Sequence, residues 1–560
     1  MTTCAALALI VFVLLMMPRG FEFTDEGLYL NLINHAESFG LSTSQAGRLL
    51  GSLGADQMSL AGLRAANVAA LSLAGFIAGL AFFNLVGLRG RFLRMEYAIC
   101  LAGTVSAFLF IWLPTPNYNS VNLLGLIGLS AAVAVCEGAS SKIGVVVASV
   151  LAALFLWLIF QAKPTTMAFA AVTLGCFWLT SSNVVLKAAS TALAFTAFMI
   201  MGAIWAAGSI SDYVDGLRAA VAWSGLLAAG QSLWPFAQMS LPNTLPAVFW
   251  SLLAVAAVGA YFEGRFFLVV PVVFSLLGLA ELLNWFDVTD VRASWLGFLS
   301  FVLFLLSACP NFSRDAIRTR TFGFALWLGT LPFAYVYGSN NTLWTMSIAA
   351  VFFWFAGSVL LLANSGGTDQ QRVSVRIRVL LATGVFAVVL AVEHSAETPY
   401  RQPASLRSLH DAPISKLGVR VDEARLEHLI ALDNALDASG YVPGDPIIDL
   451  TGRSPGLIHY VAGTPLVAGW ILGGYPGSID FLRAGLLRTD CAQIGSAFIL
   501  QETDGPRSIG EVALDTVGVD LGRHFSVVSE TATIEGDGVL TILQANDPAM
   551  STERCRAARK

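Results

Sequence analysis

Thirteen apolar stretches recur along the first 393 residues, and polar connections separate them. Crossing the hydrocarbon core of a bilayer takes about 20 apolar residues. By that ruler the pattern predicts spans near 3–18, 66–88, 97–113, 121–136, 143–161, 166–182, 188–206, 243–262, 266–286, 293–309, 321–337, 343–363 and 379–392. Those at 121–136, 166–182 and 379–392 are short for a crossing. No internal repeat is evident. The first connection, residues 19–65, is long, and its segments 28–36 and 43–53 are amphipathic. Such a loop lies partly on the membrane surface. No basic residue precedes the first apolar run, and Met-Met-Pro-Arg-Gly is a poor cleavage site. The run therefore reads as a retained span, not a secretory leader.

The pattern changes near residue 394. Residues 394–420 are polar and contain prolines, as a linker does. Apolar positions at 3–4 spacing over 421–438, ending near Gly440, predict a helix. Runs at 446–450, 496–501 and 538–543 read as strands, with a helical stretch near 508–517. The expected architecture is a polytopic all-α membrane bundle of about 13 helices, with a C-terminal extracytoplasmic α/β domain. Residues 1–393 form the membrane domain, 394–420 the linker and 421–560 the α/β domain, which is large enough for its own core.

Composition agrees with a membrane protein. The chain is 56% hydrophobic and 12% charged, against about 25% charged in soluble domains, and its mean hydropathy is +0.70. Charge placement adds an orientation. With a cytoplasmic N-terminus, the cytoplasmic connections hold Arg89, Arg91, Arg94, Lys142, Lys187, Arg265, Arg314, Arg318, Arg320, Arg372, Arg376 and Arg378. The opposite ones hold Arg19, Arg48, Arg64, Lys163, Arg218 and Arg292. This bias follows the positive-inside rule, and an odd number of spans puts the C-terminal domain outside an inner (plasma) membrane. There, Cys491 and Cys555 could be bridged; two free thiols fit the sequence as well. No C-x-x-C spacing supports a zinc or redox site, and no basic stripe with interleaved aromatics suggests nucleic acid.

Candidate chemistry gathers in the outside connections. Asp25 and Glu26 follow the first span directly. Carboxylates where a helix leaves the membrane are functional candidates, although two acids also suit the start of an interfacial helix. Pro114-Thr-Pro-Asn-Tyr-Asn-Ser-Val-Asn122 offers Asn117, Tyr118 and Asn119 to a sugar ring or a carboxylate; a plain Pro/Asn turn is the alternative. Lys163, in Gln-Ala-Lys-Pro, suits a lipid phosphate or simple snorkelling. Residues 209–242 form a longer connection with Asp212, Asp215, Arg218 and Trp234. The turn at 335–344 carries Asn340 and Asn341 among aromatics. For both, an interfacial aromatic belt is the more direct explanation. The six histidines show no ligand spacing, and no metal site is expected.

Asp25-Glu26-Gly27-Leu28-Tyr29 resembles the acidic motif in the first outside loop of GT-C membrane glycosyltransferases, especially the protein O-mannosyltransferase and lipid A aminoarabinose transferase branch. Lys163-Pro164 resembles that superfamily's Lys-Gly-Pro turn, with the glycine missing. The resemblance covers the layout of residues 1–393. It implies transfer of a sugar from a polyprenyl-phosphate donor to a lipid, glycan or protein acceptor, with inversion. Asp25 would be the base, and Glu26 would orient the acceptor or bind a divalent cation. Lys163, with Arg64 or Arg218, would hold the donor phosphate, while Tyr29, Asn117, Tyr118, Asn119, Asn340 and Asn341 would line the substrate site. No further cofactor is implied. A transporter or flippase would instead show broken helices and midplane charges; an O-antigen ligase or polymerase, a large late loop; a scaffold, a dispensable Asp25.

Overall fold

The computed structural model describes residues 2–39, 42–86, 90–227, 319–338, 343–364, 416–503, 505–533 and 538–560. It also describes scattered positions within 297–308 and 377–392, and Leu409. Among these, six helices are long and apolar enough to cross a membrane: Leu60–Leu85, Arg91–Ile111, Tyr118–Gly138, Lys142–Ala162, Val184–Ala207 and Leu343–Ala363. Thr2–Met16 and Pro164–Trp178 are shorter apolar helices, and Arg320–Val336 is a further buried helix. The expected spans at 243–262 and 266–286 lie outside the described residues, as do parts of 293–309 and 379–392. Among the described residues the structure thus gives six full-length spans, where the hydropathy pattern leads to about 13.

Small residues set how closely these helices approach. Gly125 and Gly128 of Tyr118–Gly138 face Ile159 and Phe155 of Lys142–Ala162, and a methyl on either glycine would overlap those side chains. Lipid tails are as apolar as the helices, so close packing has to supply the association energy. Helix starts are fixed by polar caps. Asn117 Oδ1 accepts from the backbone N–H of Asn119 (2.8 Å) and Ser120 (3.1 Å), while Ser120 Oγ accepts from Asn117 N–H at 2.9 Å. This reciprocal box satisfies donors that a helix N-terminus leaves open.

Residues 416–560 carry a five-stranded sheet of order β2-β1-β3-β5-β4: β1 Pro446–Asp449, β2 Thr464–Pro465, β3 Phe498–Thr503, β4 Phe525–Ala532 and β5 Val539–Ala545. β1 runs parallel to β2 and β3, and β5 is antiparallel to β3 and β4. β4 and β2 escape the hydropathy pattern because β4 is half exposed and β2 has two residues. Adjacent Ile447 and Ile448 point to opposite sides of the sheet and join different cores. A disulfide between Cys491 and Cys555 ties helix Cys491–Gly495 to helix Pro548–Ala558.

One of those two cores is not built by residues 416–560 alone. Phe21, Phe23, Leu30, Ile33, Leu60 and Leu63 share it with Val419, Leu429, Leu432, Ile447 and Leu500. Loop one thus completes a layer under the C-terminal sheet. Hydrogen bonds reinforce the junction. Gly20 N–H donates to Arg420 O (2.7 Å), Arg420 N–H to Pro18 O (2.8 Å) and Gly456 N–H to Phe23 O (2.7 Å). Asn31 Nδ2 donates to Pro455 O and Gly469 O, each at 3.0 Å. The connection after Val184–Ala207 contributes too. It forms helix Ile210–Gly225, and Trp223 stacks on Phe481 at 4.3 Å and donates to the Phe481 carbonyl at 3.0 Å.

Candidate active site

Asp25 opens the helix Asp25–Asn34, with Glu26 beside it in the first turn. The two acids have different surroundings. Glu26 is fully buried, and the Arg64 guanidinium grips it twice: Nε to Oε1 at 2.8 Å and Nη2 to Oε2 at 2.6 Å. The Thr115 hydroxyl donates to Oε1, and Glu22 N–H donates to Oε2 at 3.1 Å. Arg64 is equally buried, and its remaining donors reach the carbonyls of Met17 (2.8 Å), Arg19 (3.1 Å) and Gly20 (3.0 Å). This network joins the end of the first helix, loop one, helix Leu60–Leu85 and the Pro114-Thr-Pro turn. The Glu26–Arg64 pair is fully buried, and the guanidinium is committed to Glu26 and to three backbone carbonyls.

Asp25 is half buried. One turn along the same face, Tyr29 meets the Tyr118 ring edge-on at 6.1 Å. Asn117 is committed to its cap and to the Thr115 carbonyl at 2.8 Å. Asn119 is buried, and its Nδ2 has no hydrogen-bond partner among the described residues. Asn340 and Asn341 lie outside the described residues.

Lys163 occupies the turn between Lys142–Ala162 and Pro164–Trp178. It is buried, and Nζ donates to the carbonyls of Tyr335 (3.1 Å) and Val336 (3.5 Å), at the C-terminal end of Arg320–Val336. Burial pushes its ammonium down to about 7, although carbonyls at a helix C-terminus favour the charged form. Asn122 Nδ2 donates to Thr166 Oγ1 at 3.2 Å, and Gln45 N–H to Gln161 O at 2.7 Å. Loop one, the Pro/Asn turn and the Lys163 turn therefore meet on one face of the bundle. Arg218 stands apart. Its side chain is 77% exposed, pairs with Asp215 at 3.4 Å, and edges an apolar groove of about 660 Å³ lined by Phe160, Phe195, Met199, Tyr213 and Leu217.

Thr115 and Tyr335 enter the site through tertiary contact alone, with no local signal for their roles. Lys187 shows the converse. It reads as a loop cation but is buried against Glu137 at 2.6 Å. Among the described residues, no three His, Cys, Asp or Glu side chains gather as a metal site.

No family model and no curated protein matches the chain. Solved structures do. ArnT from Cupriavidus metallidurans bound to undecaprenyl phosphate aligns over 97% of both chains, at 11% identity and a TM-score of 0.40. The apo form of ArnT gives 12% and 0.41 over 96% of this chain. The arabinofuranosyltransferase AftD from Mycobacteria gives 13% and 0.43 over 96% of this chain, which spans 40% of AftD. The likeness is distant, at 11–13% identity and TM-scores of 0.40–0.43.

Proposed function

We infer that the protein is an integral-membrane glycosyltransferase that moves a sugar from a polyprenyl-phosphate donor to an acceptor hydroxyl on the outer face of the membrane. The observation that carries this reading is that loop one, which carries Asp25, the Pro/Asn turn and the Lys163 turn meet on one face of the bundle. A lipid-borne donor keeps its tail in the bilayer and brings its head group to that boundary.

Asp25 takes the proton of the acceptor hydroxyl as its oxygen attacks the anomeric carbon from the face opposite the phosphate. The bond from the anomeric carbon to the phosphate oxygen breaks, and polyprenyl phosphate leaves with inversion. That leaving group carries its own charge and needs a cation rather than a protonating acid. Lys163 supplies it, and the groove edged by Arg218 accommodates the lipid tail. Glu26 and Arg64 act as positioning residues that fix the first turn of the helix carrying Asp25. Tyr29, Tyr118 and Asn119 line the sugar site. The N-terminus is cytoplasmic and the C-terminal domain lies outside.

The test is release of polyprenyl phosphate from a panel of polyprenyl-phosphate sugars by purified protein in lipid nanodiscs. Asp25→Asn is expected to lose at least a hundredfold in turnover with an unchanged unfolding temperature. Wild-type turnover in Asp25→Asn would reject the assignment of the base.

A further inference from the structure

The helix that carries Asp25 begins without the cap its sequence suggests. Thr24 stands at the N-cap of Asp25–Asn34, and its side chain makes no capping hydrogen bond. The intrahelical ladder opens with Leu28 N–H donating to Thr24 O at 3.0 Å. The N–H groups of Asp25, Glu26 and Gly27 lie outside that ladder, as the first ones do at every helix start. Glu26 is closed to solvent, and a buried donor left unanswered is costly.

Glu22 answers it. Its Oε2 accepts from Glu26 N–H at 2.9 Å, and the Thr24 hydroxyl donates to its Oε1. In return, Glu22 N–H donates to Glu26 Oε2 at 3.1 Å. The reciprocity is that of a capping box, supplied from two places before the N-cap. It closes residues 22–26 into a ring with Asp25 inside it. Glu22 is 7% exposed, and its carboxylate lies at the positive end of the helix dipole, where negative charge is favoured.

The same residues are gripped from outside the ring. Gly456 N–H of the C-terminal domain holds Phe23 O at 2.7 Å, between Glu22 and Thr24. Arg64 holds the Glu26 carboxylate at 2.6 Å. The backbone on both sides of Asp25 is thus fixed, while its side chain is half buried. Glu22 acts on the backbone amide directly after Asp25, so losing it lets the first turn fray where the base is attached.

We propose that Glu22 is a positioning residue for the transfer reaction: by capping Glu26 N–H it holds the first helical turn, and with it the Asp25 carboxylate, toward the acceptor hydroxyl. The inference rests on the reading of Asp25 as the base. It gives Glu22 no contact with substrate and no proton to carry. What matters at this place is an oxygen that accepts, and not the charge on it. A misplacement of about 1 Å can cost about a hundredfold in rate, so modest fraying is enough to be measured.

The test compares two side chains of nearly equal length. Glu22→Gln keeps an oxygen for Glu26 N–H and removes the charge; Glu22→Met removes both. Release of polyprenyl phosphate is followed with the full chain in lipid nanodiscs, on polyprenyl-phosphate glucose, galactose, mannose and arabinose. Kinetics are taken on each donor that wild type cleaves, with kcat expressed per folded protein. Glu22→Met is expected to lower kcat at least tenfold, with donor KM within about threefold of wild type. Glu22→Gln should keep kcat within about threefold. Hydrogen exchange over residues 22–30 should quicken in Glu22→Met and stay at the wild-type rate in Glu22→Gln. Thr24→Val removes the hydroxyl that holds Glu22; it should lower kcat at least threefold, and it takes the place of Glu22→Met if that variant fails to fold.

Wild-type kcat in folded Glu22→Met, or in Thr24→Val standing in for it, would overturn the proposal. So would a loss in Glu22→Gln as deep as in Glu22→Met, which puts the effect in the charge. A raised KM with unchanged kcat would overturn it too, by putting Glu22 in donor binding. Failure of the transfer reading is a separate result: wild type then releases no polyprenyl phosphate, or Asp25→Asn turns over as wild type does. That result removes the base and its positioning residue together. An inactive Asp25→Asn beside a fully active Glu22→Met removes the positioning role alone.

Discussion

Gly27 of the loop-one helix and Gly456 of the C-terminal domain meet backbone to backbone. A methyl on Gly27 would overlap the Gly456 nitrogen and Cα and lie 2.8 Å from the Pro455 carbonyl carbon. On Gly456 it would lie 2.8 Å from Phe23 Cα. The glycine that follows Asp25 and Glu26 therefore sets how closely the helix with the proposed base sits under the outer domain. Backbone atoms on both sides leave no flexible side chain to yield.

Gly27→Ala should therefore separate the two layers. Overpacking of this kind costs about 1–3 kcal/mol, and the helix gains only a fraction of that in propensity from alanine. The expected outcome is a lower unfolding temperature in a scan of purified protein, with turnover falling further than stability alone explains. A mutant as stable and as active as wild type would contradict the contact.

The Arg64–Glu26 pair makes a second prediction. Arg64→Met leaves a buried carboxylate without its partner, a change that costs about 3–5 kcal/mol. Arg64→Lys should rescue little, because a point charge cannot reach two carboxylate oxygens and three carbonyls at once. Adding Glu26→Gln to Arg64→Met should recover part of the loss. A double-mutant cycle on unfolding temperature and folded yield reads this coupling.

Lys163 should make lipid-phosphate binding depend on pH. Burial brings its ammonium to about 7 from an ordinary 10.5, so the free site loses its charge as pH rises through 7. Affinity for polyprenyl phosphate is expected to fall by up to tenfold per pH unit above that point. The sign for stability is opposite. Between about 7 and 10.5 the unfolded chain holds the proton that the folded chain has lost, so this group's contribution to stability rises with pH. Binding titrations from pH 6 to 9 on wild type and Lys163→Gln check the first effect, and the variant should show a flat profile.

The Cys491–Cys555 bridge closes a segment with a sequence separation of 64 residues. Cys491→Ser with Cys555→Ser should destabilise residues 416–560 by about 2–4 kcal/mol. Mass spectrometry without reductant should find the two cysteines linked, and reductant should shift the unfolding transition of wild type but not of the double serine variant.

What the sequence determines by itself is the part of the structure imposed by solvent. The bilayer demands apolar helices of a set length, so stretches such as 66–88, 121–136 and 188–206 announce helices Leu60–Leu85, Tyr118–Gly138 and Val184–Ala207. A buried sheet demands short apolar runs, so 446–450 and 538–543 overlap β1 and β5. Asp25 and Glu26 are visible as acids at a membrane boundary for the same reason. Their divergence is not visible, because it depends on residues far along the chain. Arg64 and Thr115 bury Glu26, and Gly456 presses on Gly27. Two adjacent carboxylates are chemically alike in sequence. The folded protein separates them by placing a guanidinium against one and a half-open boundary against the other, and only three-dimensional packing assigns those neighbours.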